Sequence, residues 1–223
     1  MAEGRAAGRP VELVAEGVRI SRGGVEILRG VDLTLRAGER VALTGPSGSG
    51  KTVLLSVLAG FTAPGSGSVR LDGQPVGGAR SAARGRLGVV FQGYGLVALL
   101  TAVENVELPL LANRVPFAEA HQRALSALAQ VGLGDRAEHL VEELSGGQQQ
   151  RAAVARALAV RPDVLLADEP TAEQDAAHRS ATLDAVLAAA GSGAAVLLAT
   201  HDPAVATLCD RRVHLEGGVL HPS

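Results

Sequence analysis

Aromatic side chains are nearly missing from this 223-residue chain: three Phe, one Tyr and no Trp make up 2% of it. That scarcity excludes a surface that holds single-stranded nucleic acid by stacking bases on exposed rings. Basic blocks are missing too. The net charge is −2 and the pI near 6.3, and the sparse trio Arg80, Arg84 and Arg86 reads as a solvated face, not a stripe for a phosphate backbone. No nucleic-acid partner is expected. The single cysteine, Cys209, has nothing to pair with inside the chain, and the opening MAEGRAAGRP has no apolar run of secretory type. Both point to the cytosol. The uncharged, mostly apolar stretch Val89 to Val103 is interrupted by Gln92, Gly93 and Gly95 and falls short of the roughly 20 residues that cross a bilayer. Lysine is the scarcest charged residue: twenty arginines accompany one lysine, Lys51.

What is present is the composition of one folded unit, 47% hydrophobic and 20% charged. Strand-like runs occur at Glu12 to Ile20, Val31 to Leu35 and Arg40 to Thr44, predicting an N-terminal sheet. After Lys51 the apolar spacing turns helical until Gly60. Strand patterns return at Ser68 to Leu71 and Leu87 to Phe91. A helix follows on the stripe Phe117, Ala120, Ala124, Leu125, Leu128 and Val131, a stripe of core-packing type. A second helix starts at the cap Ser145 and runs to about Val160, stopped by Pro162. The remainder alternates: strand Val164 to Ala167, helix Asp175 to Ala190, strand Ala195 to Thr200, and a closing hairpin across Gly217-Gly218. Such alternation predicts an α/β fold with a mainly parallel sheet covered by helices. Residues 93–160 read as a mostly helical insertion.

Gly45-Pro46-Ser47-Gly48-Ser49-Gly50-Lys51-Thr52 follows a strand and opens a helix, the setting in which the Walker A pattern binds triphosphates. Glycines let the backbone curl so that its amides face phosphate, and the helix adds its positive end near Gly50 and Val53. Lys51 is expected on the β and γ phosphates and the Thr52 hydroxyl on Mg²⁺. A chain that uses arginine at every other basic position keeps its one lysine here, where a compact ammonium fits better than a wide fork.

Val164 to Ala167 runs into Asp168-Glu169, placing two carboxylates at the carboxyl end of a buried strand, where open α/β sheets bind ligands. Downstream of the phosphate loop, Asp168 is expected to serve Mg²⁺ and Glu169 to polarise an attacking water. His201 follows a strand in the same way, as a γ-phosphate contact or as a structural histidine. Gln92 follows Leu87 to Phe91, as a ligand of Mg²⁺ or water, or as the start of a loop.

Leu144-Ser145-Gly146-Gly147-Gln148-Gln149-Gln150-Arg151 resembles the signature of ABC transporter ATPases, at the family's distance before Asp168-Glu169. The resemblance extends from about Val11 to Leu220. It implies a P-loop NTPase core with an N-terminal antiparallel β subdomain (residues 1–92 and 161–223) and an inserted helical subdomain (93–160). It also implies binding and hydrolysis of ATP with Mg²⁺ by a head-to-tail dimer, a homodimer or heterodimer. In that dimer Ser145 and Gly147 complete the site of the opposing subunit, Gln92 is the Q-loop glutamine, Asp175 couples the subunits and His201 is the switch histidine. The implied partner is an integral-membrane permease, with the chain on the cytoplasmic face of the membrane. Its size, without a C-terminal regulatory domain, and the stretch Leu99 to Val106 look most like the macrolide-exporter and lipoprotein-releasing subfamily.

Two features depart from the family pattern. The family usually stacks adenine on an aromatic about two dozen residues before the phosphate loop, but no aromatic precedes Phe61 and Arg22 lies near that position. Either the Arg22 plane stacks on the base or the grip on adenine weakens. The family also usually has leucine before the coupling aspartate, where this chain reads Ala172-Glu173-Gln174-Asp175. An ATPase acting on nucleic acid would want a basic surface or coiled-coil arms, and a regulatory subunit without hydrolysis would rest on these two departures alone.

Overall fold

Apolar residues alternate with polar ones in the N-terminal third, and that period folds it into strands. The computed structural model describes residues 11–78, 81, 83, 85–172, 174 and 176–223. Strands β1 (Glu12–Arg22) and β2 (Val25–Arg36) pair antiparallel, β4 (Ser66–Leu71) pairs with the other edge of β1, and β5 (Gln74–Pro75) pairs with β4. Leu13 and Ala15 point into the core, then Val18 and Ile20 do. The change of phase coincides with a register shift between Ala15 and Val18, where Gly17 sits at φ 57°. One extra residue is absorbed there as a bulge. β2 is longer than the expected Val31 to Leu35. Gly30, at φ 86°, interrupts the pattern without ending the strand.

The second sheet has six strands: β3 (Arg40–Thr44), β6 (Leu87–Val90), β7 (Val164–Asp168), β8 (Ala195–Ala199), β9 (Arg211–Glu216) and β10 (Val219–Pro222). Their order is β10-β9-β3-β8-β7-β6, parallel except for the closing β9–β10 hairpin. Every residue of β7 and β8 is buried. Val164 and Leu166 face a core shared with the antiparallel sheet, whereas Leu165 and Ala167 face a core shared with helices. Burial on both faces is why these strands read as continuous apolar runs.

Helix α1 (Lys51–Leu58) follows β3. Between β6 and β7 lie α2 (Ala102–Ala112), α3 (Phe117–Gln130) and α4 (Gly146–Ala159), and α5 (Ala176–Gly191) and α6 (Pro203–Ala206) flank β8. The α3 and α4 spans match the expected helices. α2 was not expected; a capping box between Thr101 and Glu104 starts it. α4 starts the same way on Ser145 and Gln148. Arg86 corrects the reading of its trio as a solvated face: its guanidinium ties Asp163, at 2.6 Å, to Asp72 and so joins the two sheets. Arg80 and Arg84 lie outside the described residues.

Candidate functional site

Register brings the sequence-predicted groups to one edge of the sheet. Leu43 of β3 and Asp168 of β7 both stand opposite Ala199 of β8, so Asp168 ends its strand level with them and Thr44, Glu169 and Thr200 follow together at the sheet edge. Val90 of β6 stands opposite Ala167, which carries Gln92 out at that edge as well. These are carboxyl ends of parallel strands, the side on which such sheets hold ligands.

The loop from Gly45 to Gly50 leaves β3 here and winds into α1. Gly45 has φ 146°, and a Cβ on it would stand 2.3 Å from the Leu215 carbonyl and 2.9 Å from Ser49 Oγ. Only glycine fits this close approach of two backbones. Gly50, at φ 102°, opens α1 with no side chain capping it, which leaves the first turn's amides for an external acceptor. Among the described buried side chains, Ser49 Oγ is one of the few polar atoms without a hydrogen-bond partner. Lys51 Nζ folds back on its own loop, donating to the carbonyls of Gly45 at 2.8 Å and Pro46 at 3.0 Å. The ammonium thus sits at the loop's mouth on weak neutral acceptors, ready for exchange with a phosphate oxygen. The Val53 side chain is half-buried against the core, so only its main chain belongs to the loop.

Thr52 Oγ1 donates to Asp168 Oδ2 at 2.5 Å. Asp168 is buried, and that burial is the main reason its carboxyl is raised above the usual carboxylate value; the Thr52 bond and the Lys51 charge pull the other way. A hydroxyl and a carboxylate meeting in one place form the oxygen donor set of a hard cation. Among the described residues no three His, Cys, Asp or Glu side chains gather as a metal cage. Mg²⁺ held by one carboxylate, a hydroxyl and phosphate oxygens needs none.

Glu169 adopts φ 47°, a left-handed conformation that costs a non-glycine residue about 1–2 kcal/mol. In this geometry its Oε1 accepts from His201 twice, from the main-chain N–H at 2.8 Å and in a 2.7 Å contact with ring Nδ1. Glu169 is largely sheltered while the His201 side chain is 74% exposed, so the pair presents a carboxylate from inside and an imidazole from solvent.

Gln92 is exposed in the turn after β6. That turn is held from α4, whose Arg156 donates to the carbonyls of Tyr94 at 2.6 Å and Gly95 at 2.5 Å. Ser145 and Gly147 are not at the phosphate loop. They line a separate open cavity of about 520 Å³ together with Gly146, Gln148, Gln174 and His178. Asp175 lies outside the described residues. Arg22 ends β1 as an exposed hairpin residue opposite Val25. The sequence reading missed Gln150, whose Nε2 donates to the Glu169 carbonyl at 2.8 Å. Gln150 and Arg151, two polar residues early in a helix whose other buried residues are Ala and Val, were the available signal.

A glycine loop, a lysine at its mouth, a hydroxyl–carboxylate pair and a sheltered glutamate on one parallel-sheet edge define a P-loop nucleotide-hydrolysing protein. The ABC transporter family model matches residues 28–172. The chain is 45% identical over 202 residues to the lipoprotein-releasing system ATP-binding protein LolD of Pseudomonas fluorescens, covering 88% of this chain and 89% of that one. It is 38% identical over 215 residues to the uncharacterized ABC transporter ATP-binding protein YknY of Bacillus subtilis, covering 94% of both. Among solved structures, the dimeric post-hydrolysis state of the ATP-binding cassette MJ0796 bound to ADP and Pi superposes with a TM-score of 0.85 at 33% identity, covering 94% and 98% of the two chains. The chain belongs to the ABC transporter family, as an ATP-binding, ATP-hydrolysing subunit.

Proposed function

We propose that two such subunits close head to tail over two ATP molecules and that this cycle drives an integral-membrane permease from the cytoplasmic face of the membrane. The observation that carries the proposal is the division of the site. The phosphate loop, Asp168, Glu169 and His201 share one sheet edge, while Ser145 and Gly147 line a cavity containing no phosphate-loop residue. One subunit therefore holds two half-sites, and a second ATPase subunit, in a homodimer or heterodimer, supplies the missing half of each.

In this reading the amides of Gly45 to Thr52 and the Lys51 ammonium take the triphosphate, with Gly48, Ser49 and Gly50 giving the loop its curl. Thr52, Asp168 and Gln92 would hold Mg²⁺, which would supply charge neutralisation to the phosphates when bound. Glu169 accepts the proton of the attacking water, and His201, in contact with the same carboxylate oxygen, orients it and reaches toward the γ phosphate. Ser145, Gly147 and the positive end of α4 face the opposing subunit's γ phosphate, and Asp175 couples the subunits. Residues 93–160 form a helical subdomain that moves against the core of residues 1–92 and 161–223. Exposed Phe61, Val97, Leu99, Leu108 and Leu111 offer apolar contacts for a membrane partner. The likeness to the lipoprotein-releasing subunit favours a role in export or mechanotransmission.

Steady-state phosphate release tests the catalytic assignment. Loss of a general base costs about 10²–10⁴-fold, so Glu169→Gln is expected to fall at least a hundredfold below wild type. Equal rates in the two proteins would remove Glu169 from the role.

A further inference from the structure

The departure at Gln174 is structurally specific. A chain of hydrogen bonds starts on α5, where Thr182 Oγ1 donates to Gln174 Oε1 at 2.7 Å. Gln174 Nε2 donates to Gln150 Oε1 on α4 at 3.2 Å and to the Pro170 carbonyl at 3.1 Å. Gln150 Nε2 donates to the Glu169 carbonyl at 2.8 Å. Both hydrogens and the oxygen of the Gln174 amide are used. Thr182 is 0% and Gln150 1% exposed, so both ends of the chain lie where an unmade hydrogen bond is not replaced by water. The middle of the chain is also a wall of the second half-site, since Gln174 lines the cavity of Ser145, Gly146 and Gly147.

We infer that Gln174 is a positioning residue that fixes the Gln150 amide through which the signature helix is tied to the main chain of Glu169, and so tunes the link between the two half-sites within one subunit. A leucine there would pack but could not bridge. Gln150, on α4, makes the bond to the Glu169 carbonyl; Gln174 holds the Gln150 amide from its oxygen side, so that a shift of α4 as the opposing subunit's phosphate engages its N-terminus is passed to Glu169 through an amide of fixed orientation. Glu169 itself is held in a left-handed conformation by contacts on its far side, to His201. The residue at the chemistry is thus gripped from two directions, and Gln174 sets one of them. This inference rests on the assignment of Glu169 as the group that activates water.

The test is a KM-against-kcat split for ATP hydrolysis by the full chain, with Glu169→Gln as the control. Gln174→Leu keeps the volume and removes the bridge. Gln174→Glu keeps an acceptor for Thr182 and removes the donor to Gln150. Both are expected to lower kcat about tenfold, the scale of a small displacement at a catalytic group, with KM for ATP held within about twofold. Thr182→Val, which frees one end of the amide, is expected to lower kcat less and to add little to Gln174→Leu. Wild-type kcat in Gln174→Leu overturns the inference, as does a kcat that falls only in step with a rising KM. If Gln174→Leu does not fold, Thr182→Val decides by the same split. A wild type no faster than Glu169→Gln overturns the role of Glu169 itself, whereas an active wild type matched by Gln174→Leu overturns only the role of Gln174.

Discussion

Gly45 and Gly48 stand three residues apart in the phosphate loop, yet their substitution by alanine has different expected costs. A Cβ at Gly45 meets the Leu215 carbonyl, while one at Gly48 meets nothing within 4 Å and faces only the strain of φ 78°. Gly48→Ala is expected to lose about 1 kcal/mol and Gly45→Ala several-fold more, at the large end of single-residue effects, roughly 4 kcal/mol. Urea unfolding of the nucleotide-free protein measures both. Asp168 gives a prediction of opposite sign. Its buried carboxyl lacks a full compensating charge when no cation is bound, so Asp168→Asn is expected to raise the melting temperature in chelator by about 2–4 °C, the equivalent of ~1 kcal/mol in a chain of this size, while abolishing Mg²⁺-dependent hydrolysis. A melting temperature lowered in chelator would contradict the desolvation argument.

At the scale of elements, Arg40 at the start of β3 and Asp210 before β9 clasp neighbouring parallel strands. The Asp210 carboxyl is lowered from its usual value by hydrogen bonds from the Arg40 side chain and backbone and by its charge. A carboxyl lowered on folding stabilises above the ordinary aspartate value of about 3.9, and that contribution is lost as pH falls through the depressed value. Asp210→Asn is therefore expected to show a small stability deficit at pH 7 that closes in acid; the pair is exposed, and exposed pairs contribute little. Thr101→Ala removes the cap of α2 and is expected to cost about 1 kcal/mol, read by the same unfolding measurement.

The elements were not equally legible in the sequence. Buried parallel strands such as β7 and β8 announce themselves as apolar runs, and α3 by its stripe. α2 stayed hidden because its run Val106 to Leu111 is apolar on several faces and contains Pro109, although Thr101 and Glu104 spelled its start. Within the site, the loop, Asp168, Glu169 and His201 could be read as strand ends and glycine spacing. That His201 grips Glu169, that Lys51 rests on its own loop, and that Gln150 reaches the Glu169 carbonyl could not. The His201 contact depends on the register of β7 and β8, the Gln150 contact on how α4 packs against the sheet edge, and the Lys51 contact on the curl of its own loop, none of which a residue pattern states.

For the whole molecule, the account depends on incompleteness: the signature cavity and the phosphate loop are two halves that one chain does not bring together. The most direct measurement is sedimentation velocity of Glu169→Gln with saturating ATP and Mg²⁺, a variant in which hydrolysis cannot reopen the sandwich. The account predicts a shift from monomer to dimer that requires ATP and disappears when Ser145 is replaced by a bulky residue such as phenylalanine. A Glu169→Gln protein that binds ATP and remains monomeric, alone and with its membrane partner, would contradict it.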